Sequence, residues 1–336
     1  MKFSTITKKI PPAPALLLPG LMVAFLLSLS IGSAPVPVLA GLLDWLIGQP
    51  GIPALVMGEI RLPRSLLALC VGAALGLSGA ALQGLLRNPL ADPGLTGASQ
   101  GAALGAASVF YFAVLPGLGV FAPLLAGLAG AGLTLLLTLW LAGSGRPALL
   151  LLAGLAIASL SGAALAAVLN FAPNPFAMQE LVFWLLGSVS ERGMAHFAFL
   201  LPALVVGFAL IWRQRPLLAA LSLGEQVAVS LGLDVRRGGR VIVLGAAILV
   251  GAAVATAGNI GFVGLIAPHL ARPLAQNRPD RLLWPAAAIG ATLVLIADMT
   301  VRLMPPGREI RLGVLTALIG APLFIRLIWK MRREWL

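Results

Sequence analysis

Apolar residues form ten long segments along the chain, separated by short polar stretches. All but one approach the roughly 20 mostly apolar residues that a helix needs to cross a bilayer. The pattern therefore predicts an all-α integral membrane protein with ten transmembrane helices in one polytopic domain, residues 1–336. The eighth span is short and contains Pro268. The predicted spans are residues 15–35, 65–86, 97–116, 119–142, 148–169, 194–212, 240–257, 259–272, 282–303 and 312–330.

Composition agrees with membrane insertion. Of 336 residues, 60% are hydrophobic and only 10% are charged, whereas soluble domains carry roughly 25% charged residues. The mean hydropathy of +1.01 implies more apolar surface than a soluble fold can bury. The first apolar run follows three lysines and ends at a passable cleavage site. A removed signal peptide is therefore the alternative to a first transmembrane helix.

The basic residues orient the predicted helices. With both termini in the cytoplasm, 17 of the 23 Lys and Arg residues lie on the cytoplasmic side and six lie outside. The positive-inside rule predicts this skew, and omitting the eighth span would place the basic C-terminal tail outside. The net charge of +12 does not indicate nucleic-acid binding, because the basic residues stand between hydrophobic runs instead of on one face.

Candidate catalytic and metal-binding groups are few. Proton-coupled carriers usually hold carboxylates or histidines inside the membrane, and Asp298, near the end of the ninth span, is the nearest approach to one. His196 and His269 lack the spaced partners of a metal site, so we expect no metal. Cys70 lies in an apolar run and has no second cysteine to pair with. No G-x-x-x-x-G-K-[ST] phosphate loop occurs, so we expect no cofactor and no enzymatic activity in this chain.

A polar stretch at residues 87–97 interrupts the apolar pattern between the second and third spans. Pro89 and Pro93 forbid a continuous helix there, so we expect a structured turn at the membrane face. Asp92 is expected to cap the segment that follows, and Gly94 and Gly97 permit tight backbone geometry.

The longest predicted cytoplasmic segment, residues 213–240, is expected to contain two short helices separated by Gly224. Glu225 near the start of the second helix suits the helix dipole. Leu223, Val227 and Leu231 recur at helical spacing and form an apolar stripe. Such an element indicates a docking surface for another protein. An amphipathic pair lying on the lipid headgroups is the alternative.

Five blocks of sequence resemble, in order, the permease subunits of ABC importers for ferric siderophores, haem and cobalamin. The blocks are RLPR at 61–64, GAALGLSGAALQGLLRNPLADPGLTGASQGA at 72–102, LSLGEQVAVSLGLDV at 221–235, GNIGFVGLIAPHLAR at 258–272 and EIRLGVLTALIGAPLFI at 309–325. The resemblance implies a homodimer of ten-helix subunits in the bacterial cytoplasmic membrane. It also implies two copies of a separate P-loop ATPase that binds ATP and Mg²⁺, and an extracytoplasmic substrate-binding protein.

The resemblance also implies roles for residues at the two membrane faces. Arg61, Arg64 and Arg302 would receive carboxylates of the binding protein at the outer mouth, with snorkelling at the headgroups as their alternative role. Asn88 and Leu90 would form a cytoplasmic gate, unless their turn is only a stiff connector.

The two-helix segment would couple the permease to the ATPase in this family. The matching residues are Gly224, Glu225, Ala228, Leu231 and Gly232.

The chain departs from the family near the start of the fifth span. Other members can carry small hydroxyl residues there as a second constriction, whereas this chain has Pro147 and Ala148, with Ser144 nearby. A polar second gate is therefore not expected unless Ser144 replaces it.

The sequence thus predicts the permease of an importer for an iron chelate, with a ferric siderophore as the first candidate. Haem or cobalamin are alternatives within the family. An ion-coupled secondary transporter is the alternative from another class.

Overall fold

The computed structural model describes residues 13–32, 35–112, 116–143, 147–171, 175–305 and 310–335. Within these ranges the chain is helical and contains no β-strand. A π-helical segment, Val56–Arg61, joins the third and fourth α-helices into a continuous rod. The α-helices are α1 Ala13–Ser30, α2 Val38–Leu46, α3 Ile52–Leu55, α4 Leu62–Leu86, α5 Ala98–Phe112, α6 Phe121–Ala142, α7 Pro147–Asn170, α8 Pro175–Leu185, α9 Met194–Arg213, α10 Arg215–Leu223, α11 Glu225–Ser230, α12 Val235–Ala257, α13 Val263–Ala271, α14 Pro279–Arg302 and α15 Leu312–Trp335.

Six helices of the described chain are long and apolar enough to cross a membrane. They overlap six of the predicted spans and confirm helices there. Two other predicted spans coincide with shorter apolar helices, Leu17–Ser30 and Leu312–Leu327. The predicted spans 97–116 and 259–272 contain α5, of 15 residues, and α13, of nine, so the number ten stays a prediction. The six long helices are Ile52–Leu86, Phe121–Ala142, Leu152–Asn170, Met194–Arg213, Val235–Ala257 and Pro279–Arg302.

The sequence pattern gave no indication of α2, α3 or α8. Helices of 9, 4 and 11 residues are too short to register in a window of about 20 apolar residues. The second span was also predicted to begin at residue 65, whereas the helical rod begins at Ile52. A proline such as Pro63 normally ends a helix because it has no backbone N–H to donate. Here the helix continues, because the wider π-helical turn just before Pro63 accommodates the missing N–H.

The centre of the molecule is α4, which packs against the antiparallel α14. Added Cβ atoms at Gly72 and Gly76 would overlap the carbonyl oxygens of Gly290 and Ala286 on α14. One turn further along, Gly79 meets the backbone of α13 in the same way. Helices in lipid have no hydrophobic drive to associate, so small residues that let backbones touch supply the packing. These contacts place α4 at the core of the bundle.

The antiparallel pair defines two ends of the molecule. Arg64 at the start of α4 contacts Asp298 near the end of α14, and this is the arginine end. Gly84 near the end of α4 lies against Pro279 at the start of α14, and this is the loop end. Helix α10 also belongs to the loop end, because Arg215 Nε donates to the Asp280 carbonyl oxygen at 2.9 Å.

A break in the helices separates α12 from α13. Ser188 N donates to the Ala257 carbonyl oxygen at 2.7 Å, and Gly313 N donates to that of Gly187 at 3.3 Å. Gly258 adopts φ +71°, and an added Cβ there would overlap the carbonyl oxygen of Trp184, so no side chain would fit. Backbone polar groups in a membrane need internal partners, and these bonds supply them by joining the ends of α8, α12 and α15.

We expect Gly76→Val to destabilise the protein by about 1–3 kcal/mol or more, because the new side chain separates α4 from α14. The measurement is the thermal unfolding midpoint in mild detergent. Gly20→Val is the matched control, since an added Cβ at this helical glycine meets no atom within 4 Å. Equal midpoints for the two variants would contradict the backbone contact.

Candidate functional site

A buried carboxylate organises the arginine end. Asp298 on α14 is 1% exposed, and its Oδ1 lies 2.9 Å from Arg64 Nε and 2.8 Å from Arg64 Nη2. Its other oxygen, Oδ2, accepts a bond from Arg302 Nε at 2.8 Å and a second from Nη2. Asp298 and Arg302 are four residues apart and so face each other on one helix. One carboxylate therefore holds two guanidinium groups together.

The same end of the molecule secures the C-terminus of α1. Arg302 Nη1 donates to the Ser28 carbonyl oxygen at 2.7 Å. Arg61 Nη1 donates to those of Leu29 and Ser30 at 2.9 and 3.3 Å. The last carbonyls of a helix lack helical partners, and cations are favourable beside them. The two arginines thus cap α1 and join it to the helices of the core.

These residues form the arginine cluster, defined as Arg61, Arg64, Asp298 and Arg302. Arg61 is 4% exposed, and the side chains of Arg302 and Arg64 are 6% and 18% exposed. The structure brings together the three arginines predicted for docking, but their described contacts lie within the chain. Arg64 retains the most exposure, so it is the best placed to meet another protein. The docking role stays a prediction.

The sequence signalled the Asp298–Arg302 contact through its spacing of four residues. The contacts of Arg64 with Asp298 and of Arg302 with Ser28 had no such signal, because they join residues 234 and 274 positions apart.

At the loop end, the turn after α4 is fixed by its backbone. Arg87 adopts the left-handed conformation with φ +52°, and Asn88 N donates to the Gln83 carbonyl oxygen at 3.2 Å. Asn88 Oδ1 then accepts from Leu90 N at 2.9 Å. The Gln83 side chain accepts from Arg272 Nη2 at 2.8 Å. The predicted gate residues therefore stand on a turn that is bonded to α4 and, through Gln83, to the end of α13.

The second half of this turn is a short 3₁₀ helix, Pro93–Thr96, that begins at Asp92. The Asp92 Oδ1 atom accepts a bond from Gly94 N at 2.7 Å, and Gly97 ends the helix with φ +79°. Burial raises the pKa of the Asp92 carboxyl above its usual range, and the Gly94 bond acts in the opposite direction. The structured turn and the Asp92 cap are confirmed.

Within the segment predicted at 213–240, α10 and α11 are separated by Gly224 at φ +129° as predicted, but residues 235–240 already belong to α12. Leu218 of α10 is fully buried, and its Cδ2 lies against Gly84 of α4. In contrast, the region around α11 presents apolar side chains at the surface: Leu223, the last residue of α10, is 71% exposed, Val229 of α11 is 60% exposed and Leu231, just after α11, is 64% exposed. The segment thus has one face bound to the core and one face open.

The residues predicted for ATPase coupling divide between these two faces. Glu225, Leu231 and Gly232 are exposed and Gly224 is half-buried, whereas Ala228 is fully buried. Ala228 therefore packs α11 onto the subunit. Any contact of this segment with a partner is made by the exposed residues on either side of Ala228.

The two histidines and the cysteine lie on three different helices. His196 is buried near the start of α9, His269 is half-buried near the end of α13, and Cys70 is buried in α4. Among the described residues, no group of three or more His, Cys, Asp or Glu side chains converges as a metal site. Of the residues considered for a second gate, Ser144 lies outside the described residues, as do the side chains of Pro147 and Ala148.

Comparison with protein families matches residues 20–330 to the FecCD transport family. The chain belongs to this family. It is 41% identical over 285 residues to the hemin transport system permease protein HmuU of Yersinia pestis, covering 82% of this chain and 84% of that one. It is 38% identical over 307 residues to the Fe(3+) dicitrate transport system permease protein FecD of Escherichia coli, covering 91% and 95%.

A further relative is the vitamin B12 import system permease protein BtuC of Vibrio vulnificus, 40% identical over 82% of each chain. Among solved structures, an inward-facing metal-chelate type ABC transporter matches with a TM-score of 0.79 and 31% identity, covering 95% of this chain and 98% of that one. The chain is therefore an ABC transporter permease, and its apolar helices make it a multi-pass protein of the bacterial inner membrane.

We expect Asp298→Asn to lower the stability of the subunit by about 3–5 kcal/mol, because the buried guanidinium groups lose the charge that pairs them. The measurement is the thermal unfolding midpoint in mild detergent. Arg278→Gln is the control, since it breaks an ion pair in which the Arg278 side chain is 50% exposed, and such pairs contribute about 0–1 kcal/mol. A midpoint for Asp298→Asn equal to that of the control would show that the cluster does not hold α1.

Proposed function

We propose that this chain is the permease subunit of an ATP-driven importer that passes an iron chelate, first of all a ferric siderophore, from a binding protein to the cytoplasm. The observation that carries the proposal is the two-helix segment, which is buried against α4 on one side and exposes leucines on the other. An element of this form suits a lever that receives force from a partner. The names of the relatives, a vitamin B12 import system and transport systems for hemin and ferric dicitrate, support the direction and the class of substrate.

The proposed arrangement is a homodimer of ten-span subunits with both termini in the cytoplasm. The loop end then faces the cytoplasm, because it carries the basic residues of the segment 213–240. The arginine end faces outward. The placement of α10 and of the arginine cluster at opposite ends of α4 and α14 supports this orientation.

Coupling is proposed to run from an ATPase through α11 and α10 to α4. Leu218 contacts Gly84, which lies three residues before the turn at Arg87. A shift of α10 therefore reaches the end of α4 and the turn that carries Asn88 and Leu90. A turn held by its own hydrogen bonds is expected to move as a unit, which suits the proposed cytoplasmic gate. ATP and Mg²⁺ are held by the ATPase subunits in this scheme.

At the opposite end, the arginine cluster is proposed to receive the binding protein. Its three arginines outnumber its one carboxylate, so it retains a net positive charge toward the outer surface. Guanidinium groups match carboxylates with two parallel hydrogen bonds. Arg64 is the proposed first contact because it is the most exposed of the three.

The substrate is proposed by class. The relatives are named for hemin, for ferric dicitrate and for vitamin B12, so haem and cobalamin remain the alternatives to a ferric siderophore. An ion-coupled carrier is disfavoured because both carboxylate oxygens of Asp298, the nearest approach to an intramembrane carboxylate in the sequence, are bonded to Arg64 and Arg302.

We expect Leu231→Glu to weaken association with a P-loop ATPase by about 30-fold, as for loss of a central apolar contact worth about 2 kcal/mol. The tagged complex is extracted in mild detergent and the amount of ATPase that co-purifies is measured, with one copy per permease expected for the unmodified chain. Leu303→Glu is the control, because Leu303 is 71% exposed and lies at the arginine end. Equal retention of ATPase by both variants would exclude α11 as the coupling surface.

We expect cells carrying the complete importer to take up a labelled ferric siderophore in the presence of a proton uncoupler. We expect this uptake to stop when ATP is depleted. Competition by unlabelled hemin or cobalamin distinguishes the alternative substrates. The Leu231→Glu chain serves as the transport-deficient control. Uptake that an uncoupler abolishes while ATP is maintained would instead favour an ion-coupled carrier.

A further inference from the structure

An open apolar groove runs along one side of the bundle between α6, α9 and α12. Its volume is about 570 Å³, and the residues that line it are all apolar. The floor is made of small buried residues, among them Ala131, Ala203 and Ala247. The rim is exposed, with Val206 at 49% and Leu244 at 39%. The groove thus lies at the surface of three membrane-spanning helices.

An exposed arginine continues the α12 wall of this groove. Leu244, Ala247 and Ile248 follow Arg240 by four, seven and eight residues, which places all four on one helix face. Arg240 Nη2 donates to the Gly143 carbonyl oxygen at 3.2 Å, immediately after the end of α6. The walls formed by α6 and α12 therefore converge at Arg240.

A second exposed arginine continues the α9 wall. Arg213 follows Val206 by seven residues, close to two full turns, so the two share a face. Arg213 is exposed and is the last residue of α9. Two cations thus stand at the same end of an otherwise apolar groove.

The depth of the groove fits one leaflet of a bilayer. From Arg240 to Ile248 the helix rises about 12 Å, and from Arg213 to Phe199 it rises about 21 Å. Half of the hydrocarbon core measures about 15 Å. An acyl chain in the groove would therefore place its headgroup level with the two arginines.

We propose that this groove binds an anionic phospholipid of the surrounding leaflet, with an acyl chain on the alanine floor and the phosphate between Arg213 and Arg240. Phosphate suits the pair because guanidinium groups bind phosphate oxygens bidentately. The site goes beyond the proposed transport function and does not depend on it.

A second copy of the chain is a poorer occupant of this groove. In a two-fold interface the same patch faces itself, so the exposed arginines of both subunits would approach each other. Bringing like charges together in a desolvated interface is unfavourable. An anionic lipid neutralises the same charges instead.

The headgroup contact is tested by native mass spectrometry of the full-length protein with phosphatidylglycerol or phosphatidylcholine. We expect the unmodified subunit to retain one phosphatidylglycerol selectively. The double variant Arg213→Gln, Arg240→Gln should bind it about 25-fold more weakly, at about fivefold for each arginine. Arg281→Gln, which removes an exposed arginine elsewhere at the loop end, should bind as the unmodified chain does. Equal retention of phosphatidylglycerol and phosphatidylcholine by the unmodified chain would overturn the proposal. So would an equal loss of phosphatidylglycerol in the double variant and in Arg281→Gln.

The acyl-chain contact is tested by filling the groove. Gly132 lines the groove, and an added Cβ there meets no atom within 4 Å, so a side chain can start from this position and Gly132→Phe adds bulk to the groove. We expect it to lose the bound phosphatidylglycerol, whereas Gly20→Phe, at a similarly open helical position of α1, should keep it. Retention by Gly132→Phe would exclude the groove as the lipid site. A change in subunit stoichiometry with unchanged lipid retention would assign the groove to a second copy.

Discussion

The contact between the backbones of α4 and α14 is the constraint on which the rest of the structure depends. In a bilayer, burying one more leucine against another helix gains little over leaving it in lipid. Close approach through Gly72, Gly76 and Gly290 gains van der Waals contact along the whole crossing. The antiparallel pair then fixes where each end of the molecule stands. Without it, neither the arginine cluster nor the two-helix segment would have a rigid support.

That pair joins two very different surfaces. At one end Asp298 pairs with Arg64 and with Arg302, which also caps α1, so a charged cluster is stabilised inside a chain with few charges. At the other end α10 is buried and α11 is exposed. In the proposed importer, a partner that pulls on α11 would act on the end of α4, and a partner at the opposite end would meet Arg64 at the start of α4. This shared rod is the physical basis for communication in the proposed importer.

Local sequence signals predicted the local features well. Proline and glycine positions gave the turn at 87–97 and the division of the two-helix segment at Gly224, because these residues restrict or permit backbone conformations on their own. Apolar runs gave the six long helices. Short helices such as α2 and α8 were not predicted. The part of the helical rod before residue 65 was not predicted either, because a proline such as Pro63 normally ends a helix. The π-helical turn that accommodates Pro63 has no sequence signature.

By itself the sequence determined that this is an all-helical membrane protein, because the hydrophobic content and the run lengths leave no other place for the apolar surface. It also determined the residue types of the candidate sites. Only the tertiary structure decided that Arg61 and Arg302 bond to the end of α1, that Ala228 faces inward, and that Arg213 and Arg240 stand at one end of a groove. These facts depend on helices that are distant in the chain, and residue spacing carries information only within one helix.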